Sequence, residues 1–240
     1  MLGQLIAALK TGDNKLDEAF EQFLQMVVAS EWMFGEANDV LRGKKAQEDV
    51  GDALYAKDQE INTLLRSIRA NILTHLSVQR NADIAGCLAL MSVAKDAERI
   101  GDYCKNVFEV GQYYEEDYKI DRYHEPLEEI RLQVAELFPL VREAFADSST
   151  KKAKKAIKTA DRIRSECDAV EASLLLDRRT VETHAAVAYS LLARHYKRVA
   201  SHLANISTAV FGKIEDLDFR KPNRDATLQA TDQSDLPPIG

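Results

Sequence analysis

Two carboxylates and one amide stand at regular four-residue spacing near the middle of the chain, at Glu98, Asp102 and Asn106. If this stretch is a helix, the three side chains lie on one face, one turn apart. Like charges at this spacing destabilise an isolated helix by about 0.2–0.5 kcal/mol, so we expect a positive charge to offset the repulsion. Two sources are open: a bound cation, or ion pairs with Lys95 and Lys105, each three residues from one of the acids.

An earlier segment with helical apolar spacing carries a second pair of oxygen donors. Asp58 and Asn62 are four residues apart, so they share a helix face that differs from the apolar one. We therefore predict one cation site with Glu98 and Asp102 as its core ligands. Asn106 is a candidate third ligand from the same helix, and the Asp58 and Asn62 pair would come from the neighbouring one. Oxygen donors favour magnesium, manganese, calcium or iron over a thiolate-type zinc site.

The motif recurs towards the C-terminal end of the chain. At an offset of 99 residues, Arg99 matches Arg198 and Asn106 matches Asn205. A period near 100 residues is too long for a solenoid, whose units have roughly 20–50 residues. We interpret the recurrence as a duplicated three-helix unit.

The second copy departs from the first at its acidic positions. Lys197 and Ser201 stand where the first copy has its two acids, and Arg164 stands where it has Asp58, at an offset of 106 residues. Two positive charges would repel a metal ion by several kcal/mol at about 4 Å and an effective dielectric constant near 20. They could instead face Asp168 and take over the role of the cation. The cation site is therefore predicted in the first repeat only.

The run Glu-Arg-Ile-Gly-Asp at 98–102, with Asn106 four residues on, resembles the helix signature of the PhoU family. The resemblance covers roughly residues 15–212 and implies two three-helix repeats. It also implies a non-enzymatic cytoplasmic regulator of phosphate transport and phosphate-starvation signalling. Such a protein docks to a membrane phosphate transporter, a sensor histidine kinase or both, and a homodimer is open. The family adds iron and zinc clusters to the metals considered, and the alternative is a metal-free helical adaptor or scaffold.

Composition favours an all-α protein that does not bind nucleic acid. Glycine (10) and proline (5) are scarce among 240 residues, while strong helix formers are plentiful. The net charge of −7 resides in residues 1–120, which hold 20 acids against 13 bases. An acidic half suits a cation or a basic partner, whereas nucleic-acid binding needs a basic surface. The chain contains no run of 18 apolar residues, so no membrane span is predicted. The spacing of Cys87, Cys104 and Cys167 suggests free thiols, which fit a reducing compartment.

Apolar periodicity predicts six long helices, and the 99-residue recurrence groups them into two pseudo-symmetric three-helix bundles. The predicted helices are Lys15–Leu41, Ala46–His75, Ala82–Tyr118, Tyr123–Phe145, Lys151–Leu176 and Val181–Lys213. The predicted division is an N-terminal docking segment with a short helix (1–14), a first repeat (15–120), a second repeat (121–214) and a disordered tail (215–240).

Other site chemistries lack the residues they need. His184, His195 and His202 share one face of the last predicted helix, but their rises of about 16 Å and 10 Å prevent one zinc ion from binding all three. We expect them to be packing or surface residues. The chain has no glycine-rich phosphate loop, no Gly-x-Ser-x-Gly turn and no Glu-x-x-His pair, so an enzyme is not expected.

Overall fold

A computed structural model describes residues 14–80, 82–114, 121–177, 181–211 and 214–218. Over these ranges the chain forms six α-helices and no strand, which confirms the predicted all-α fold. The helices are α1 (Asn14–Leu41), α2 (Gln47–Val78), α3 (Ile84–Tyr113), α4 (Asp121–Ala146), α5 (Thr150–Leu176) and α6 (Thr183–Thr208). Two 3₁₀ turns follow, at Ala209–Phe211 and Ile214–Asp216. None of the helices described is both long enough and apolar enough to cross a membrane.

Local side-chain signals explain where several helices begin and end. The Asp83 side chain accepts a hydrogen bond from the Gly86 N–H at the start of α3, at 3.0 Å. Ser149 accepts one from the Lys152 N–H at the start of α5, at 3.3 Å. Such contacts satisfy N–H groups that the first turn of a helix leaves unpaired. After α1, Gly43 has a φ of 64°, a left-handed conformation that glycine adopts without steric cost.

Two helices end earlier than predicted. The third was expected to reach Tyr118 but ends at Tyr113, and residues 115–120 lie outside the described ranges. The sixth was expected to reach Lys213 but ends at Thr208. There the Thr208 hydroxyl donates to the Asn205 carbonyl at 2.6 Å. A side-chain bond of this kind competes with the regular helix ladder.

The predicted chain ends are only partly described. Of the predicted docking segment, only Asn14 is described, as the first residue of α1. The disordered tail was predicted to span residues 215–240, and only its first four residues are described. Leu217 is buried, and the Asp218 backbone N–H donates to the Thr208 hydroxyl at 3.1 Å, so this short part lies against the end of α6. Residues 219–240 lie outside the described part of the chain.

The helices form two bundles that meet along their third members. α1, α2 and α3 pack together, α4, α5 and α6 pack together, and α3 packs against α6 between the repeats. Gly101 lies where α2 approaches α3 closely, because a Cβ there would stand 3.1 Å from the Ile61 Cδ1 atom. This approach brings Asp58, one turn before Ile61, towards the motif face of α3.

Candidate cation site and the interface between the repeats

In the first repeat, a lysine ammonium joins the acids of α2 and α3. The Nζ atom of Lys105 lies 2.9 Å from Asp58 Oδ1 and 3.0 Å from Asp102 Oδ1. Asp58 is only 4% exposed, and its second oxygen accepts a hydrogen bond from Asn62 Nδ2 at 3.3 Å. Partial burial disfavours the charge on Lys105, but its hydrogen bonds to both carboxylates outweigh this effect, and its pKa lies above the ordinary value. The buried carboxylate of α2 therefore has a positive partner within the chain.

The other two predicted ligands make different contacts. Glu98 pairs with Lys95 on its own helix, at 2.5 Å. Asn106 lines a cavity of about 400 Å³ between α3 and α6, together with His195. Three of the five predicted ligands therefore lie in one connected group: Asp58, its neighbour Asn62, and Asp102, which shares Lys105 with Asp58. Glu98 and Asn106 make contacts outside this group.

This arrangement matches the ion-pair alternative, in which lysines offset the charge of the acidic face. Lys95 and Lys105 make the contacts that their spacing suggested. Among the residues described, no three or more His, Cys, Asp or Glu side chains are placed to hold a metal ion. As arranged, the donor set does not fit a divalent cation, because the ammonium of Lys105 already binds two of the carboxylate oxygens. A metal on the five predicted ligands stays a prediction, and it requires Lys105 to move away.

The second repeat also pairs a third-helix lysine with a second-helix acid. Lys197 Nζ contacts Asp168 Oδ1, as its place in the motif predicted. The expectation that Arg164 faces the same acid is wrong, because its guanidinium pairs with Asp161 one turn earlier on α5, at 3.2 Å. Ser201, at the position of the second missing acid, donates its hydroxyl to the Lys197 carbonyl at 2.7 Å.

A polar cluster between the repeats was not predicted from the sequence. Asp96, on α3, is 7% exposed and lies against two residues of α6. His202 Nδ1 donates to Asp96 Oδ1 at 2.7 Å, and Asn205 Nδ2 donates to the same oxygen at 3.1 Å. The His202 ring also stacks on Tyr103, with centroids 5.7 Å apart. The polar types at these positions were visible in the sequence, but nothing local showed that α3 and α6 meet there.

Two of the contacts between the repeats are related to each other by the 99-residue offset. At that offset Asp96 corresponds to His195, and Tyr103 corresponds to His202. The contact of Asp96 with His202 therefore has a counterpart between His195 and Tyr103, whose ring centroids are 6.0 Å apart. Contacts that exchange partners in this way are expected from a two-fold relation between duplicated units.

The two related contacts differ in chemistry. Where the first has a hydrogen-bonded carboxylate, the second has the imidazole of His195, whose Nδ1 is buried without a hydrogen-bond partner in the described part of the chain. Burial lowers the pKa of His195 to about 4. Its ring is therefore neutral at pH 7. His184 packs against the Tyr114 ring, with centroids 5.6 Å apart, as expected for a packing residue.

Comparison with known proteins identifies the fold of both repeats. A model of the PhoU domain matches the chain twice, at residues 23–111 and 127–210. The structure is similar to the crystal structure of the phosphate transport system regulatory protein PhoU from Streptococcus pneumoniae, with a TM-score of 0.73 and 20% identity over 83% of this chain and 94% of that one. It is also similar to PhoU from Pseudomonas aeruginosa, with a TM-score of 0.73 and 20% identity over 82% of this chain and 95% of that one. A search of curated proteins gave no match. Because the two domain matches span well over half of the residues, the chain belongs to the PhoU family.

Proposed function

We propose that this protein regulates phosphate transport and phosphate-starvation signalling. The observation that carries the proposal is the match of the PhoU domain to both repeats, 23–111 and 127–210, rather than to one of them. A similar fold belongs to a phosphate transport system regulatory protein of Streptococcus pneumoniae. We propose that the protein works in the cytoplasm, docking to a membrane phosphate transporter, to a sensor histidine kinase or to both.

The proposed role is regulatory and not catalytic. The thiols of Cys87, Cys104 and Cys167 are buried. Burial raises the pKa of Cys104, and it raises that of Cys167 to about 12, so neither forms the thiolate that a nucleophile requires. The two acids of the motif pair with lysines of the same helix, Glu98 with Lys95 and Asp102 with Lys105.

The test is deletion of the gene, followed by phosphate measurements in phosphate-replete and phosphate-starved cells. If the proposal is right, phosphate uptake or expression of a phosphate-starvation reporter changes in at least one condition. Re-expression of the wild-type chain restores it. Unchanged uptake and reporter expression in both conditions would instead favour the helical adaptor or scaffold.

Docking is tested separately, by affinity capture of the tagged full-length chain from cross-linked cells grown in both phosphate conditions. Recovery of a phosphate transporter subunit or sensor kinase is the expected result. Recovery of neither, in cells where deletion does alter phosphate uptake, would contradict direct docking and leave the regulatory role standing. Light scattering of the purified chain decides whether the homodimer, which stays a prediction, forms.

A further inference from the structure

We infer that two lysine ammonium groups, from Lys105 in the first repeat and Lys197 in the second, serve as built-in cations between the second and third helices. The protein then needs no resident metal at either place. This inference concerns the stability and metal content of the repeats, so it can hold or fail independently of the proposed phosphate role.

In the first repeat, the contacts are those that a bridging cation would make. A carboxylate as buried as Asp58 destabilises the fold unless a positive charge and hydrogen bonds compensate it. Lys105 supplies the charge from the neighbouring helix, and Asn62 supplies a hydrogen bond to the second oxygen. Lys105 also binds Asp102, so one positive group holds carboxylates of α2 and α3 together.

In the second repeat, the same kind of pair is built from different positions. Lys197 occupies the place of Glu98, whereas the residue at the place of Lys105 is Ala204. Its partner Asp168 occupies the place of Asn62. Neither lysine has a lysine at its equivalent position, and yet both repeats place an ammonium against a second-helix carboxylate. The shared feature is an ammonium group between these two helices, rather than a lysine at one fixed position.

A lysine and a metal ion compete for the same oxygen atoms. A divalent ion that reached Asp58 and Asp102 would have to displace the ammonium and would then lie near its charge. Removing the charge of Lys105 should therefore create an opening that the wild-type chain lacks. The second repeat provides a contrast, because loss of the Lys197 charge exposes a single carboxylate, and one carboxylate makes a poor metal site.

The test compares wild type with Lys105→Met, Lys197→Met and Lys15→Met. Methionine keeps much of the side-chain length without the charge, and Lys15 is a matched control because its pair with Glu18 is exposed on both sides. Each protein is purified in full length, its metal content is measured by elemental analysis, and its melting curve is recorded with and without MgCl₂ or MnCl₂.

We expect the wild type to carry no stoichiometric metal and to melt at the same temperature with either salt. Lys105→Met should melt about 5–10 °C lower, because a buried carboxylate loses its partner, and added manganese should recover much of that loss. Lys197→Met should melt slightly lower and gain nothing from the ions, since Asp168 is 57% exposed. Lys15→Met should behave as the wild type does.

Three results would overturn the inference. One is stoichiometric metal in the wild type, which would establish the predicted metal site instead. Another is a Lys105→Met protein that melts like the wild type. The third is a destabilised Lys105→Met protein that neither metal ion stabilises. If Lys105→Met does not fold, the double variant Asp58→Asn/Lys105→Met removes both charges. Recovery of the fold would support the inference, and continued failure to fold would overturn it.

Discussion

Substitution of Asp96 by alanine should loosen the interface between the repeats. Asp96 is 7% exposed and accepts hydrogen bonds from His202 at 2.7 Å and from Asn205 at 3.1 Å. Hydrogen bonds to a charged group contribute about 1.5–3 kcal/mol each, and removing the acceptor leaves the α6 donors facing an apolar methyl group. With partial relaxation, the variant should lose about 2–4 kcal/mol of unfolding free energy. For a chain of this size, that lowers the melting temperature by about 5–15 °C.

The assay is urea unfolding of wild type, Asp96→Ala, His202→Ala and the double variant. Because the two side chains share one contact, the double-mutant cycle should give a coupling energy of about 1–3 kcal/mol. Glu60→Ala is the control, since Glu60 forms an exposed pair with Lys57 and should cost less than about 1 kcal/mol. Hydrogen exchange should show faster opening of α3 and α6 amides near the substituted site.

Two results would refute a stabilising Asp96–His202 contact: a loss of stability in Asp96→Ala no larger than that in Glu60→Ala, or a coupling energy with His202 near zero. Either result would mean that the two residues lie close together without stabilising the interface.

Two further predictions follow from close packing and from a buried histidine. Gly111→Ala should destabilise the fold by about 1–3 kcal/mol, since the new Cβ would lie 3.2 Å from the Leu41 Cα atom, and backbone cannot move aside. At Gly101 the tight contact of a new Cβ is with the flexible end of Ile61, at 3.1 Å, so thermal melting of Gly101→Ala should show a change in stability within about 1 kcal/mol. Equal losses of stability in the two glycine variants would refute this difference. The pKa of His195 falls from 6.5 to about 4 on folding, so the unfolded chain binds the extra proton and stability must decrease as the pH falls from about 6.5 towards 4. Urea unfolding against pH should show a smaller decrease for His195→Gln, and the same decrease as in wild type would contradict a neutral, buried His195.

The sequence alone was sufficient to predict the helices and their duplication. The number of residues per turn of an α-helix is fixed, so residues four apart share a face. Glu98, Asp102 and Asn106 therefore lie on one face whatever surrounds the helix. The apolar periodicity likewise marks which face is buried, and the 99-residue offset relates the two third helices before any contact is known. The pairing of Lys95 and Lys105 with the acids could also be predicted, because side chains three positions apart on a helix are close enough to form an ion pair.

Contacts between different helices were decided by the tertiary structure. Lys105 reaches Asp58 only because α2 and α3 pack at a particular angle and register, which depend on many small packing contacts such as that of Ile61 over Gly101. The sequence could not show that the ammonium of Lys105 would reach a carboxylate on the neighbouring helix. For the same reason, Asp96 gave no local sign of its partners on α6, some 100 residues away in the chain. Helical periodicity records the geometry of one segment, whereas the charge a buried carboxylate meets depends on how two segments come together.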